Sequence, residues 1–266
     1  MTDIAPLWTV LKDELDAWHD QGRKAAFWWR DDDAVGAGPV WSRLAGLQNK
    51  TGIPLAVAVI PQRLEHSLPA AMAAAGNIIA LQHGHSHRNN GAAGEKKTEF
   101  PDARPVEDAL ADLRSGLGIM RQAFGCRFRP ALVPPWNRIT PALVPHLAGL
   151  GFAALSCFKA RTALLAAPGL VQLNTHIDPV DWPGGDSLTG ITKGLGEARN
   201  ILAMMRLGQV PEQPIGVLTH HLHHDEATWD FLEQLFGWLQ GHPAVSWVDF
   251  DTALGAGHHP SVTPPS

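Results

Sequence analysis

The sequence predicts an α/β protein whose parallel strands curl into a barrel or distorted barrel. Three observations carry that expectation. Strand-like and helix-like segments alternate about seven times along the chain, the pattern of repeated strand–helix units. Several of the strand-like runs are apolar throughout, as in Leu55-Ala56-Val57-Ala58-Val59-Ile60, which implies burial on both faces. The connections are short, so successive elements lie side by side.

Each element has its own signal. Leu7, Leu11, Leu15 and Trp18 recur at helical spacing and predict a helix over 4–21. Residues 25–30 read as a strand that stops at Asp31-Asp32-Asp33. A helix over 39–51 is closed by Gly52-Ile53-Pro54, and the apolar run at 55–60 is the second strand. Residues 69–75 read as helix, and 77–81 as the strand that feeds His83-Gly84-His85-Ser86-His87. The polar, Gly-containing stretch 89–101 predicts a loop over the site. Residues 105–124 form the clearest amphipathic helix. A short strand at 131–133 breaks at Pro134-Pro135-Trp136-Asn137. Thr140 and Pro141 predict the start of a helix reaching residue 150. Strands follow at 152–156 and 170–175, a helix at 188–207, a strand at 215–219 that ends at His220-His221, a helix at 228–240 and a last strand at 245–250.

No linker splits the 266 residues, so one domain is expected over 1–255, followed by a disordered tail over 256–266. A net charge of -5 gives no reason to expect nucleic acid or an anionic membrane surface as partner. Cys126 and Cys157 form neither a disulfide framework nor a Cys-x-x-Cys pair. Asp3 and Glu14 stand where a secretory leader would be basic and then apolar. No stretch of about 18 apolar residues predicts a membrane span, and a cytoplasmic location is expected. Oligomeric state is not legible. Ten tryptophans and no tyrosine fit either sugar-stacking surfaces or, more commonly, core packing.

The chemistry lies at the strand ends, where α/β folds carry side chains into a shared crevice. His83 and His87 share one side of a helical turn, whereas an extended chain would put His83, His85 and His87 on one face. Asp31, Asp32 and Asp33 repel one another unless a cation compensates them, and Arg30 is one candidate for that cation. Two imidazoles and a carboxylate make a divalent metal site with open positions. Paired carboxylates then divide the work, one binding the metal and the other serving as general base.

Together with three later elements, these runs resemble the polysaccharide deacetylases of the NodB-homology type, the carbohydrate esterase 4 group. The later elements are Val133-Pro134-Pro135-Trp136-Asn137, Asp178-Pro179-Val180-Asp181-Trp182 and Leu218-Thr219-His220. All five fall in the family's order over about residues 25–225. The resemblance implies a distorted, often seven-stranded (β/α) barrel and a metal-dependent hydrolase acting on an N-acetylated sugar or related amide. It implies Asp32 as general base and Asp33 as metal ligand, although a shift of one place gives Asp31 and Asp32. It implies His83 and His87 as the other ligands of one divalent ion, expected to be zinc. His220 becomes the general acid, with His221 as runner-up. Trp136, Asp181 and Trp182 become substrate contacts, for a small-molecule or oligosaccharide substrate.

The sequence departs from the family at three places. Val133 stands where an Arg normally holds the catalytic Asp, and Arg30, Arg129 and Arg138 are the replacements on offer. Ala34 follows the aspartates in place of Gly, and Gly84 follows His83 in place of Ser or Thr. His223, His224 and Asp225 could add ligands, but a solvated loop is the commoner outcome. Lys96-Lys97 read as surface, His258-His259 as tail and Cys157 as a small buried residue. Two rivals remain: a catalytically impaired carbohydrate-binding relative, and a non-haem Fe(II) oxygenase, which shares the two-histidine, one-carboxylate set but usually needs a double-stranded β-helix.

Overall fold

The structure is a computed structural model that describes residues 5–180 and 187–255, with the backbone alone for 5–7 and 187–189. In chain order its elements are α1 (Ala5–Asp20), β1 (Ala25–Ala34), α2 (Pro39–Thr51), β2 (Leu55–Val59), α3 (Ser67–Ala74), β3 (Ile78–His83), α4 (Val106–Phe124) and β4 (Phe128–Val133). There follow α5 (Leu147–Leu150), β5 (Ala154–Leu155), β6 (Leu165–Ala167), β7 (Leu170–Gln172), α6 (Ser187–Arg206), β8 (Ile215–Thr219), α7 (Glu226–Gly241), β9 (Val245–Trp247) and α8 (Phe250–Gly255).

The sheet runs β7-β5-β4-β3-β2-β1-β8, all parallel. The chain leaving β7 closes it into a ring. Thr175 N–H donates to Cys157 O on one side, and His176 and Ile177 N–H donate to Gly216 O on the other. Ile177 bridges Val217 in parallel register. Seven strands therefore form a barrel whose last seam is a short, irregular one, the distorted α/β barrel expected. β6 lies antiparallel outside β7, and β9 pairs with the first residues of β1. No helix among the described residues is long and apolar enough to cross a membrane.

The continuous apolar strands are explained by two buried layers. Phe27, Trp29, Leu55, Val57, Val59, Ile78 and Leu132 face outward into a core shared with the helices. Trp28, Ala56, Ala58, Leu81, Ala131, Val133, Ala154 and Leu173 fill the lumen, plugged from below by Phe250 and Ala253. The lumen residues are mostly small because Trp28 and Arg30, both at most 1% exposed, occupy its axis. Gly216 makes room for this, since a Cβ there would lie 2.6 Å from Trp28 Nε1. Half of the ten tryptophans are thereby core residues: Trp18, Trp28, Trp29, Trp41 and Trp229 are all buried.

Several expected elements change. β1 does not stop at Arg30 but continues through the aspartates to Ala34, because Arg30 and Asp31 stay in register with β2 and find buried polar partners. The helix expected over 140–150 is broken into a turn, a 3-10 turn at Val144–His146 and the short α5. Pro145 cannot donate to a preceding carbonyl, which prevents a continuous helix. The last strand ends at Trp247, and Phe250 instead opens α8. β6 had no sequence signal. The expected disordered tail, His258 and His259 included, lies outside the described residues.

Candidate metal centre

The site forms where β1, β3, β4 and β8 end at the same rim of the barrel. Along β1 the side chains alternate. Trp28, Arg30 and Asp32 point into the lumen, while Phe27, Trp29 and Asp31 point outward. Asp33 would follow Asp31 outward, but the β1–β2 register shifts between Asp31 and Ala34 and Asp33 adopts a φ of 72°. Aspartate tolerates that left-handed backbone better than most residues, and the twist turns the Asp33 carboxylate back over the rim.

There it meets two imidazoles. Asp33 Oδ1 lies 3.1 Å from His83 Nε2 and 3.0 Å from His87 Nε2, with all three donor atoms within 4.8 Å of one another. His83 Nδ1 donates to the Val133 carbonyl at 2.9 Å. In the neutral ring this leaves the Nε2 lone pair aimed at a carboxylate oxygen, an arrangement that needs a proton or a metal cation between them. Donor atoms about 3.0–3.5 Å apart are what a tetrahedral ion with 2.0–2.1 Å bonds requires. The residues therefore fit a divalent metal.

The electrostatics agree. Burial alone would raise the Asp33 carboxyl, but hydrogen bonds to His83 and His87 outweigh it and hold Asp33 far below the usual carboxylate range. Burial alone would lower the His83 ring, but Asp33 and Asp32 outweigh it and push its pKa up. A cation between these groups removes the need for that shared proton.

Asp32 is held differently. Arg30 Nε lies 2.8 Å from Asp32 Oδ1, and Arg30 Nη2 donates to Oδ2 at 3.0 Å. The rest of the guanidinium donates to Ser156 Oγ, Ser156 O and Asn137 Oδ1. Thus Arg30, from the same strand, does the holding that Val133 cannot. Arg129 instead pairs with Asp251, and Arg138 donates to Lys97 O.

Asp31 does not join the cluster. On the outer face it accepts from Thr219 Oγ1 at 2.7 Å and from the His221 backbone at 3.0 Å, and it lies 2.5 Å from His221 Nδ1. Burial alone would lower the His221 ring, but Asp31 beside it raises its pKa. His220 faces the rim instead, with Nδ1 3.8 Å from Asp178 Oδ1; the Ile177–Val217 bridge sets that approach. The His220 backbone N–H donates to His224 Nε2 at 3.0 Å. That acceptor role fits a His224 pKa lowered by burial to about 4. His223 Nε2 lies 3.8 Å from Asp33 Oδ2, on a half-exposed side chain. The Trp136 ring centroid is 4.4 Å from that of His87. Asp181 and Trp182 lie outside the described residues. Burial pushes the Cys157 thiol up to about 11, so it is no nucleophile at neutral pH.

One residue was missed in the sequence. Glu99, fully buried in the 89–101 loop, accepts from the backbone N–H of His85, Ser86 and His87 and from Ser86 Oγ. It fills the concave set of N–H groups that bends the histidine loop, with His87 at a φ of 56°. It also explains Gly84: a Cβ at that position, whose φ is 55°, would lie 2.1 Å from Glu99 Oε2 and 2.6 Å from the Pro135 ring. In the sequence it is one of two acids in a polar loop, with Glu95, and burial could not be read from that.

No family model and no curated protein sequence matches the chain. Solved structures do. One is a polysaccharide deacetylase structure from Mycobacterium smegmatis, similar at a TM-score of 0.61 and 17% identity over 92% of this chain and 96% of that one. The fold is that of the CE4 deacetylases. A family 4 acetyl xylan esterase from Clostridium thermocellum, in complex with cobalt, matches at a TM-score of 0.51 and 13% identity over 86% of this chain and 89% of that one. A CE4 family pseudoenzyme from Bacillus anthracis matches at 0.54 and 14% over 87% of this chain and 66% of that one. The CE4 fold is a parallel barrel and not the double-stranded β-helix on which the oxygenase alternative depended.

Proposed function

We propose that this protein is a metal-dependent hydrolase that removes the acetyl group from an N-acetylated sugar or a related amide. The observation that carries the reading is the meeting of Asp33, His83 and His87 at the open rim of a CE4-type barrel. Beside them lies a second carboxylate, Asp32, locked by Arg30. Asp33, His83 and His87 would hold one divalent ion, and zinc suits two imidazoles and a carboxylate with a position left open. When bound, such an ion polarises the acetyl carbonyl and lowers the pKa of water.

The chain's own groups supply the rest. Asp32 accepts the proton of the attacking water, and Arg30 fixes its orientation without reaching the substrate. His220 delivers a proton to the departing nitrogen, since an amine anion is a very poor leaving group. Asp178, with Oδ1 3.8 Å from Nδ1, orients the ring. Trp136, whose ring lies tilted with its centroid 4.4 Å from that of His87, forms one wall of the substrate groove, and the sequence resemblance adds Asp181 and Trp182 as substrate contacts.

Zinc titration together with acetate release from tetra-N-acetylchitotetraose tests the reading. The wild-type protein should bind one zinc ion and release acetate, and Asp33→Asn should lose zinc affinity because a charged ligand is gone. Zinc binding without acetate release would point to the impaired, carbohydrate-binding alternative. Full zinc affinity in Asp33→Asn would place the metal elsewhere.

A further inference from the structure

A cavity of about 620 Å³ opens beside the metal centre, outside β5 and β7 and under the chain that follows β4. This is within the roughly 300–1,000 Å³ typical of small-molecule sites. It shares a wall with the centre. Asn137 lines it, and the same Asn137 Oδ1 accepts from Arg30 Nη2 at 2.9 Å. A ligand in the cavity would thus lie next to the group that holds Asp32.

The lining has two characters. Ile139, Pro141, Val144 and Leu165 give an apolar surface, suited to the C–H face of a pyranose ring. Arg138 and Arg161 give charge. Arg161 is half-buried, and its Nη atoms donate to the backbone carbonyls of Gln172 and Glu212 at 3.0 and 2.7 Å. Arg138 Nη1 donates to Lys97 O at 2.8 Å. Among the described residues no carboxylate is in ion-pair contact with either guanidinium. Burial without a compensating anion draws the Arg161 pKa down. Arg30, Arg129 and Arg206 each hold a carboxylate, whereas Arg127, like Arg161, donates to backbone carbonyls but does not line this cavity. A partly desolvated guanidinium held by neutral carbonyls gains more from an arriving anion than a solvated one.

We propose that this cavity is a sugar subsite that takes a carboxylate-bearing pyranose joined to the N-acetylated unit, with Arg161 and Arg138 supplying the countercharge. The proposal rests on the hydrolase reading for the identity of the neighbouring unit. It adds that the preferred substrate is an acidic oligosaccharide and not a neutral one.

Calorimetric binding of two oligomers tests it: tetra-N-acetylchitotetraose, and the same tetramer oxidised to carboxylates at C6. The wild-type protein should bind the acidic tetramer about tenfold more tightly or better, the scale of one charge-assisted hydrogen bond. Added salt should shrink the preference. Arg161→Met should bring the two affinities close to equality. Should that variant fail to fold, having lost its backbone contacts, the exposed Arg138→Met carries the test and should lower the preference by about threefold or more. Equal affinities in the wild type, no binding of either tetramer, or an undiminished preference in a folded variant each overturn the subsite. Acetate release from the neutral tetramer is read separately. An acidic preference without acetate release would overturn the hydrolase reading and leave the subsite standing, and acetate release without an acidic preference would do the reverse.

Discussion

Replacing Glu99 by Gln should disable the metal centre without touching a ligand. In the wild type both carboxylate oxygens accept. Oε1 takes Ser86 N–H at 2.8 Å and Ser86 Oγ at 2.9 Å, Oε2 takes His87 N–H at 3.3 Å, and His85 N–H is shared between Oε2 at 3.2 Å and Oε1 at 3.3 Å. A glutamine can present its oxygen to only one of these pairs. The better hydrogen bonds go to Ser86, so the amide NH2 would face the N–H groups of His85 and His87. His87 N–H then loses its acceptor, at about 1–3 kcal/mol, while His85 N–H keeps the 3.3 Å contact to the remaining oxygen. The loss of stability should be roughly 1–3 kcal/mol. At about 2–4 °C per kcal/mol for a chain of this size, Tm should fall by roughly 2–12 °C. His87 reaches Asp33 only through that bent loop, so zinc affinity should fall about 10–100-fold, as for other groups that orient metal ligands. Thermal denaturation of the metal-free protein and zinc titration measure the two effects. A Glu99→Gln protein with wild-type Tm and wild-type zinc affinity would refute the claim that the loop is built on this carboxylate.

Other outcomes follow from the same geometry. Asp32→Asn should keep its zinc and lose turnover, because an amide cannot accept the proton; loss of zinc with activity retained would exchange the roles of the two aspartates. His220→Ala should lose about 10²–10⁴-fold in kcat with zinc content unchanged, whereas His221→Ala should lower stability more than turnover because its ring is tied to Asp31 on the outer face. His176 is fully buried and accepts the Gly216 N–H on Nδ1, and burial lowers its pKa to about 3. The unfolded chain takes up that proton below about pH 6.5, so the folded state should lose stability as pH falls from about 6.5 toward 3. His176→Asn should flatten that limb in denaturation measured against pH, and an unchanged slope would show that other groups cause it.

The candidate site was legible in the sequence at the level of elements and not at the level of atoms. Apolar runs ending in Asp31-Asp32-Asp33, His83 and His220 marked three strand ends, because a buried strand has to expose its polar residues where it leaves the sheet. The choice between Asp31 and Asp33 was open in the sequence. A strict alternation along β1 would have sent both to the outer face, and a single left-handed residue at a shifted register sends Asp33 inward. Three arginines could stand in for the one missing at Val133, and Arg30 is the one that points into the lumen. Glu99 was invisible, because a buried acid and a surface acid in a loop look alike.

By itself the sequence determined the parallel α/β class, the order of its strands and helices and the residue types at the strand ends. These follow from periodicity and side-chain chemistry, which are local. Tertiary structure alone decided the closure of the seven strands through residues 174–177, the partner of each aspartate and the cavity beside Asn137. Each of these depends on groups far apart in the chain, such as Arg30 with Ser156, Asp31 with His221 and Asp33 with His83. Whether a buried charge meets its counterpart is settled by where the barrel places both strand ends, and no window of sequence contains both.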